Sequence, residues 1–138
     1  MRKTTKKKTA RRKPDPRTTV KLGIGDRLVL QRVVRERTRG NLALIRIAQE
    51  MLQRLGIDAA EARRINLRSN NGAVQWDLAQ ATDKALRFDP FEIGLIKKSL
   101  LAMSTEGVLT VEDLSVCRKF IPDELAAAVK EKTHADTD

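Results

Sequence analysis

Residues 58–78 read DAAEARRINLRSNNGAVQWDL, and the fold turns on them. Asp58 stands three residues before Glu61, the spacing of a capping box, which predicts a short helix after it. Two runs then flank Asn70-Asn71-Gly72. Asn-Gly permits positive φ at both central positions of a tight turn, a strong hairpin signal. The pattern predicts strands near 65–69 and 73–78, with Trp76 on the buried face.

Outward toward the N-terminus, Asn41 is a good cap for NLALIRIAQEMLQRLG. Leu44, Ile47, Ala48, Met51 and Leu55 share one helical face, while Arg46, Glu50, Gln53 and Arg54 face away, and Gly56 closes the helix. Before it, DRLVLQRVVRER predicts a helix from Gly25 or Asp26. Val29, Leu30, Val33 and Val34 gather on one side, and Arg27, Gln31 and Arg35 on the other. A strand is the rival reading of this valine-rich run. Gly40 suits the turn that ends it.

Toward the C-terminus, a short strand is expected at 85–88. Asp89-Pro90 with Glu92 then starts a helix. Ile93, Ile96, Leu100 and Met103 form its apolar stripe, and Gly107 ends it. Thr110 opens another helix, with Val111, Leu114 and Cys117 facing in. Pro122 starts a last helical turn or two.

The expected fold class is therefore α+β, mainly helical. Three helices and a β-hairpin, followed by two further helices, give a winged-helix-like order. The domain organisation expected is a disordered basic arm over 1–19, one compact α-rich domain over 20–132, and a disordered tail over 133–138. Pro14-Asp15-Pro16 blocks a helix in the arm.

Charge is distributed unevenly. Residues 1–17 carry nine bases and one acid, 18–68 eleven and five, and 69–138 eight and twelve. Net charges of +8, +6 and −4 sum to the chain's +10. Such asymmetry points to a polyanionic partner for the first half, or to packing against an acidic protein surface. Between 18 and 68 ten of the eleven bases are arginine, whose planar fork matches phosphate oxygens in pairs.

Active-site chemistry finds little material. The single histidine, His134, sits in the C-terminal tail, and Cys117, the single cysteine, falls at a core-facing helical position. Nucleophilic triads need a placed histidine, and zinc needs several paired ligands. Gly23-Ile24-Gly25 lacks the third glycine and the Lys-Ser/Thr of a phosphate loop, and no clear strand is expected before it. Glu112-Asp113 and Asp123-Glu124 fall in first helical turns, where capping explains them. No enzyme, cofactor or metal is expected. No apolar run reaches the ~18 residues of a membrane span, and no apolar segment follows the basic start as in a secretory signal.

The runs RLVLQRVV, NLALIRIAQEMLQRLGI, DAAEARRINL with the NNGAVQWDL hairpin, and FEIGLIKKSLLAMSTEGVLTVEDLSVCRKF resemble small phage- and prophage-type proteins of unassigned function. The resemblance spans residues 22–121 as a pattern of apolar positions and turns. It implies a compact α+β body and a mobile-element setting, with no catalytic residues to carry over. Those proteins generally lack such a basic arm.

The function expected is non-enzymatic nucleic-acid binding, as in a phage-type regulator. In the arm, Arg2, Lys3, Lys6, Lys7, Lys8, Arg11, Arg12 and Lys13 would contact phosphates. In the body, the clusters Arg32, Arg35, Arg37, Arg39 and Arg63, Arg64, Arg68 would do so. With few aromatic residues for stacking, duplex DNA or structured RNA suits the chain better than single strands. The place expected is cytoplasmic, at the nucleoid or in a nucleoprotein assembly; in a eukaryote KKKTARRK would also read as a nuclear-import signal. The alternatives are a protein-interaction module (an inhibitor or assembly factor) docking on an acidic protein, and a structural part of a virion or ribonucleoprotein.

Overall fold

The computed structural model describes residues 16–137, with side-chain surroundings through Val129. The expected arm contacts from Arg2 to Lys13 lie outside the described residues. The chain runs β1 (Thr18–Leu22), α1 (Ile24–Arg37), α2 (Leu42–Leu55), α3 (Ala59–Arg64), β2 (Arg68–Asn70), β3 (Ala73–Gln75), β4 (Lys84–Phe88), α4 (Pro90–Glu106), α5 (Leu114–Phe120) and α6 (Pro122–Thr137). Single 3₁₀ turns at Leu78–Gln80 and Val111–Asp113 link these elements. The fold is α+β and mainly helical, with the expected order of three helices and then a hairpin.

Both ends depart from expectation. Thr18 and Thr19, assigned to the arm, begin a strand that pairs antiparallel with β4 from Thr18↔Phe88 to Leu22↔Lys84. The pairing partner lies some seventy residues away, so nothing local announces it. At the other end, helical backbone continues to Thr137 where a tail was expected from 133. Its run of Ala, Lys and Glu favours helix. α4, α5 and α6 thus make three helices after the hairpin.

Two antiparallel sheets result, β1–β4 and β2–β3. The hairpin turns through Asn71 (φ 54°) and Gly72 (φ 82°), the paired positive φ values of a type I′ turn. Its strands are shorter than expected and exposed. The 65–67 segment instead closes α3, with Leu67 N–H donating to the Ala62 carbonyl at 2.8 Å. Trp76 lies past the strand, half-buried on the first turn of α1. A Cβ added to Gly25 there would sit 3.8 Å from its ring.

The β1–β4 sheet has two open edges, and each is capped by a cation. Thr19↔Arg87 and Lys21↔Ala85 alternate with the other pairs, so both are of one kind, with their backbone groups turned outward to the two edges. The Arg87 carbonyl accepts from Arg54 Nη1 at 2.6 Å. The Lys21 carbonyl accepts from Lys119 Nζ at 2.6 Å. Charged side chains on exposed strand edges oppose further pairing.

The core forms where α1 packs between α2 and α4, with α5 and the sheet closing it. Leu30, Val33 and Val34 meet Met51, Leu55, Ile96, Leu100 and Val116 there. Phe88 and Phe120 pack edge to face, with centroids 6.0 Å apart. Caps fall where their residues predict: Asn41 accepts from Leu44 N–H, Asp89 and Glu92 exchange bonds, and Gly107 takes φ 74°. Val111, expected to face in, is 84% exposed, because the chain there is a 3₁₀ turn rather than the helix. α1 ends at Arg37 with Thr38 extended. Gly40 instead admits close approach, since a Cβ there would meet Leu44 Cδ2 at 2.6 Å.

Arg27 corrects the α1 reading most. Expected on the outward side, it is fully buried. Its Nε donates to the Leu55 carbonyl (3.2 Å), Nη2 to the Gly56 carbonyl, and Nη1 and Nη2 to the Glu61 carboxylate (2.7 and 2.9 Å). Gln31 Nε2 adds a bond to the Leu55 carbonyl at 3.0 Å. The polar stripe of α1 thus binds the C-terminal end of α2 and the side of α3. Glu61 is engaged by Arg27, so only half of the expected capping box forms: Asp58 Oδ1 accepts from Glu61 N–H at 2.8 Å.

Two expectations follow. Arg27→Ala strands the Glu61 carboxylate and two carbonyls, so urea unfolding should show a loss of roughly 3–5 kcal/mol. Arg27→Lys should recover less than half, since an ammonium lacks the fork. The second concerns acid. The hydrogen bond from Arg27 holds Glu61 below its ordinary 4.5. Burial pushes Asp26 up, but bonds from Lys119, Ser115 and the Gly23 backbone outweigh it and leave Asp26 below 3.8. Depressed carboxyls contribute stability above their unfolded pKa that fades as pH falls through the folded one. Melting temperature should hold near neutrality and drop on acidification from the ordinary carboxylate range downward. Glu61→Gln should flatten that drop.

Candidate nucleic-acid interface

The seven body arginines expected to meet phosphate are not equally available. Arg32 Nη2 binds Asp113 Oδ1, a carboxylate with no exposure. Arg37 Nη1 donates to both Glu106 oxygens at 2.9 Å. Arg68 Nη1 bonds the Asn66 carbonyl at 2.8 Å and lies 3.3 Å from Asp77. Arg64 lies 3.9 Å from Glu61 and 3.5 Å from the Thr82 hydroxyl. Arg35, Arg39 and Arg63 are exposed and have no carboxylate partner among the described residues.

The two expected clusters occupy different places. Arg35, Arg37 and Arg39 sit at the C-terminal end of α1 and in the loop after it; Arg63, Arg64 and Arg68 flank the junction of α3 and β2. α3 is a helix of six residues, with Arg63 and Arg64 exposed in its last turn. Arg54, expected to face away on α2, instead pairs with the buried Glu92 and lies 5.4 Å over the Phe88 ring.

These pairs resolve part of the charge asymmetry. Arg32, Arg37 and Arg54 come from the basic half, and their partners Asp113, Glu106 and Glu92 from the acidic half. The acidic surface that the basic half packs against is in good part the protein's own C-terminal half. Lys119 with Asp26 makes one link in the reverse sense, at 2.6 Å.

A cleft gathers two cations unpaired among the described residues, Arg39 and Lys98, beside the paired Arg37. Arg37, Thr38 and Arg39, with Leu44 from the first turn of α2 and Leu95, Lys98, Ser99 and Ala102 from α4, line a space of ≈ 200 Å³. The α4 residues follow the 3–4 spacing of one helical stripe. Lys98 was outside the expected set because it lies in the net-acidic half. Its signal in the sequence is that stripe, legible only once the 38–41 loop is known to cross it.

Elsewhere the surface has a different character. Asp58, Glu61, Arg64, Asp83 and Lys84 line a cleft of mixed sign. The Glu61 N–H holds Asp58 below its ordinary value, as Arg27 does Glu61. Carboxyls held ionised in this way are poor proton donors near neutral pH. A largely apolar groove runs between α1 and the hairpin, lined by Leu28, Val29, Val74 and Trp76 with Glu112 at its side. Burial, and then Asp113, push the Cys117 thiol up, which keeps it protonated and unreactive. Among the described residues no group of acids, Cys or His is arranged to hold a metal, and no helix is long and apolar enough to cross a membrane.

Comparison with family models, with curated proteins and with solved structures yields no match.

The two classes of arginine separate by stability. Arg32→Ala leaves the buried Asp113 carboxylate without its cation and should cost roughly 1.5–3 kcal/mol in urea unfolding. Arg35→Ala, on an exposed position, should stay within about 0.5 kcal/mol. Equal losses for the two variants would overturn the division.

Proposed function

We propose that the protein is a non-enzymatic nucleic-acid-binding protein that contacts duplex DNA or structured RNA through phosphates. The observation that carries this reading is the crowding of bases at the start of the chain. Residues 1–17 hold nine bases against one acid. On the body, Arg35, Arg39, Arg63 and Lys98 add exposed cations without a carboxylate partner among the described residues. The arm supplies sequence-independent, salt-sensitive affinity, and the body sets orientation. A phage-type regulator or a component of a packaged nucleoprotein suits such a division of work.

A second reading, a protein-interaction module, draws on the apolar groove beside the hairpin. Its Val74 is 46% exposed, and exposed apolar surface marks interaction sites.

The test is binding to a DNA duplex and to a structured RNA across a salt series, for the full chain and for one starting at Thr18. That cut leaves the β1–β4 register whole. The full chain should lose affinity with a slope of about 0.9 per phosphate contacted on the logarithmic plot. The shortened chain should still bind, with a shallower slope. Binding by neither form at moderate salt would remove the reading and favour a protein partner.

A further inference from the structure

We propose that the cleft between the end of α1 and α4 is a socket for one backbone phosphate, held by Arg39 and Lys98 with the Thr38 and Ser99 hydroxyls and flanked by Arg37. This rests on the nucleic-acid reading and gives it a defined contact on the folded body.

Three cations, from the end of α1, the loop after it and α4, converge on this space of ≈ 200 Å³. Like charges gathered in one cleft repel unless an anion joins them. The one carboxylate tied to the group is Glu106, half-exposed, and it occupies a single nitrogen of Arg37. That bond holds the guanidinium in place while its Nε and Nη2 have no acceptor among the described residues. Among the described residues Arg39 and Lys98 have no ion-pair partner either, and the Thr38 and Ser99 hydroxyls accept and donate no hydrogen bond. These donors, from the loop after α1 and from α4, are therefore present and unengaged among the described residues.

The rest of the lining limits the ligand. Leu44, Leu95 and Ala102 add apolar walls beside the cations, which lower the local dielectric and strengthen charge-assisted bonds. No aromatic ring lines the cleft, so it offers no platform for stacking an unpaired base. The fit is to a phosphate with the edge of its sugar, as a duplex or structured RNA presents it. Free inorganic phosphate shares that chemistry, and the experiment separates the two.

Inorganic phosphate is titrated into the full ¹⁵N-labelled chain, and a DNA duplex and an RNA hairpin are bound across a salt series. Both are repeated with the pair variant Arg39→Gln/Lys98→Gln and with Lys97→Gln/Arg118→Gln, which removes two exposed bases outside the cleft. Phosphate should shift the backbone signals of residues 37–39 and 98–99 in the parent and not in the first variant. That variant should bind nucleic acid roughly tenfold more weakly at low salt, with a slope reduced by about 0.9, the value for one phosphate. A slope reduced twice as far means two independent contacts and overturns the socket. So does unchanged binding by this variant, which leaves the nucleic-acid reading standing. Phosphate seated in the cleft of a chain that binds no nucleic acid overturns the backbone assignment and the reading together. Arg39→Lys/Lys98→Arg keeps both charges and should restore affinity; failure to do so would mean that the loss was structural, which also overturns the proposal.

Discussion

The buried guanidinium of Arg27 is the constraint on which the first three helices depend. A charged group enters a core only when its hydrogen-bonding capacity is met. Here two carbonyls at the end of α2 and the Glu61 carboxylate meet it. Those carbonyls are among the groups that a helix terminus leaves open. One side chain thus satisfies a helix end, neutralises an acid and fixes where α3 departs. The hairpin follows α3 directly, closed onto it by Asp77 N–H bonded to the Ile65 carbonyl at 2.8 Å. Its placement over α1 is set by the same contact.

The abundance of arginine between 18 and 68 acquires two meanings. A fork of five donors suits phosphate, and it equally suits carboxylates and carbonyls inside a protein. Arg27, Arg32 and Arg54 use it inward, and Arg37 uses one nitrogen of it on the surface carboxylate of Glu106. The residues left outward are fewer than the sequence suggests, and they are joined by a lysine from the other half of the chain. The net charge of the chain still lies mostly in residues 1–17, so the arm weighs more in the proposed function than the arginine-rich segment does.

Local signals were legible wherever local chemistry decides structure. Asn41, Asp89 and Gly107 cap helices as their types predict, and Asn71-Gly72 makes the turn. What was hidden depends on distant partners. β1 is a strand because β4 lies beside it, and Thr18 and Thr19 carry no apolar pattern of their own. Arg27 looks like a surface residue by periodicity, since a helical wheel does not know that the end of another helix faces it. The candidate site was half visible: Arg37 and Arg39 stood out by composition, while Lys98 and Ser99 reach the cleft only through the packing of α4. Partner carboxylates 69 and 81 residues away were also beyond local reading.

The contact of Trp76 with Gly25 has an optical consequence. The chain has one tryptophan and no tyrosine, so its ultraviolet emission under indole excitation has a single origin. That origin sits at the seam between the hairpin and the first turn of α1, half-covered and outside the cleft proposed to hold phosphate. The colour of the emission therefore registers whether the hairpin is seated or lifted. Lifting would admit water to the indole and redden it without requiring that any helix unfold. The protein carries its own gauge of that one joint, readable in the unlabelled chain.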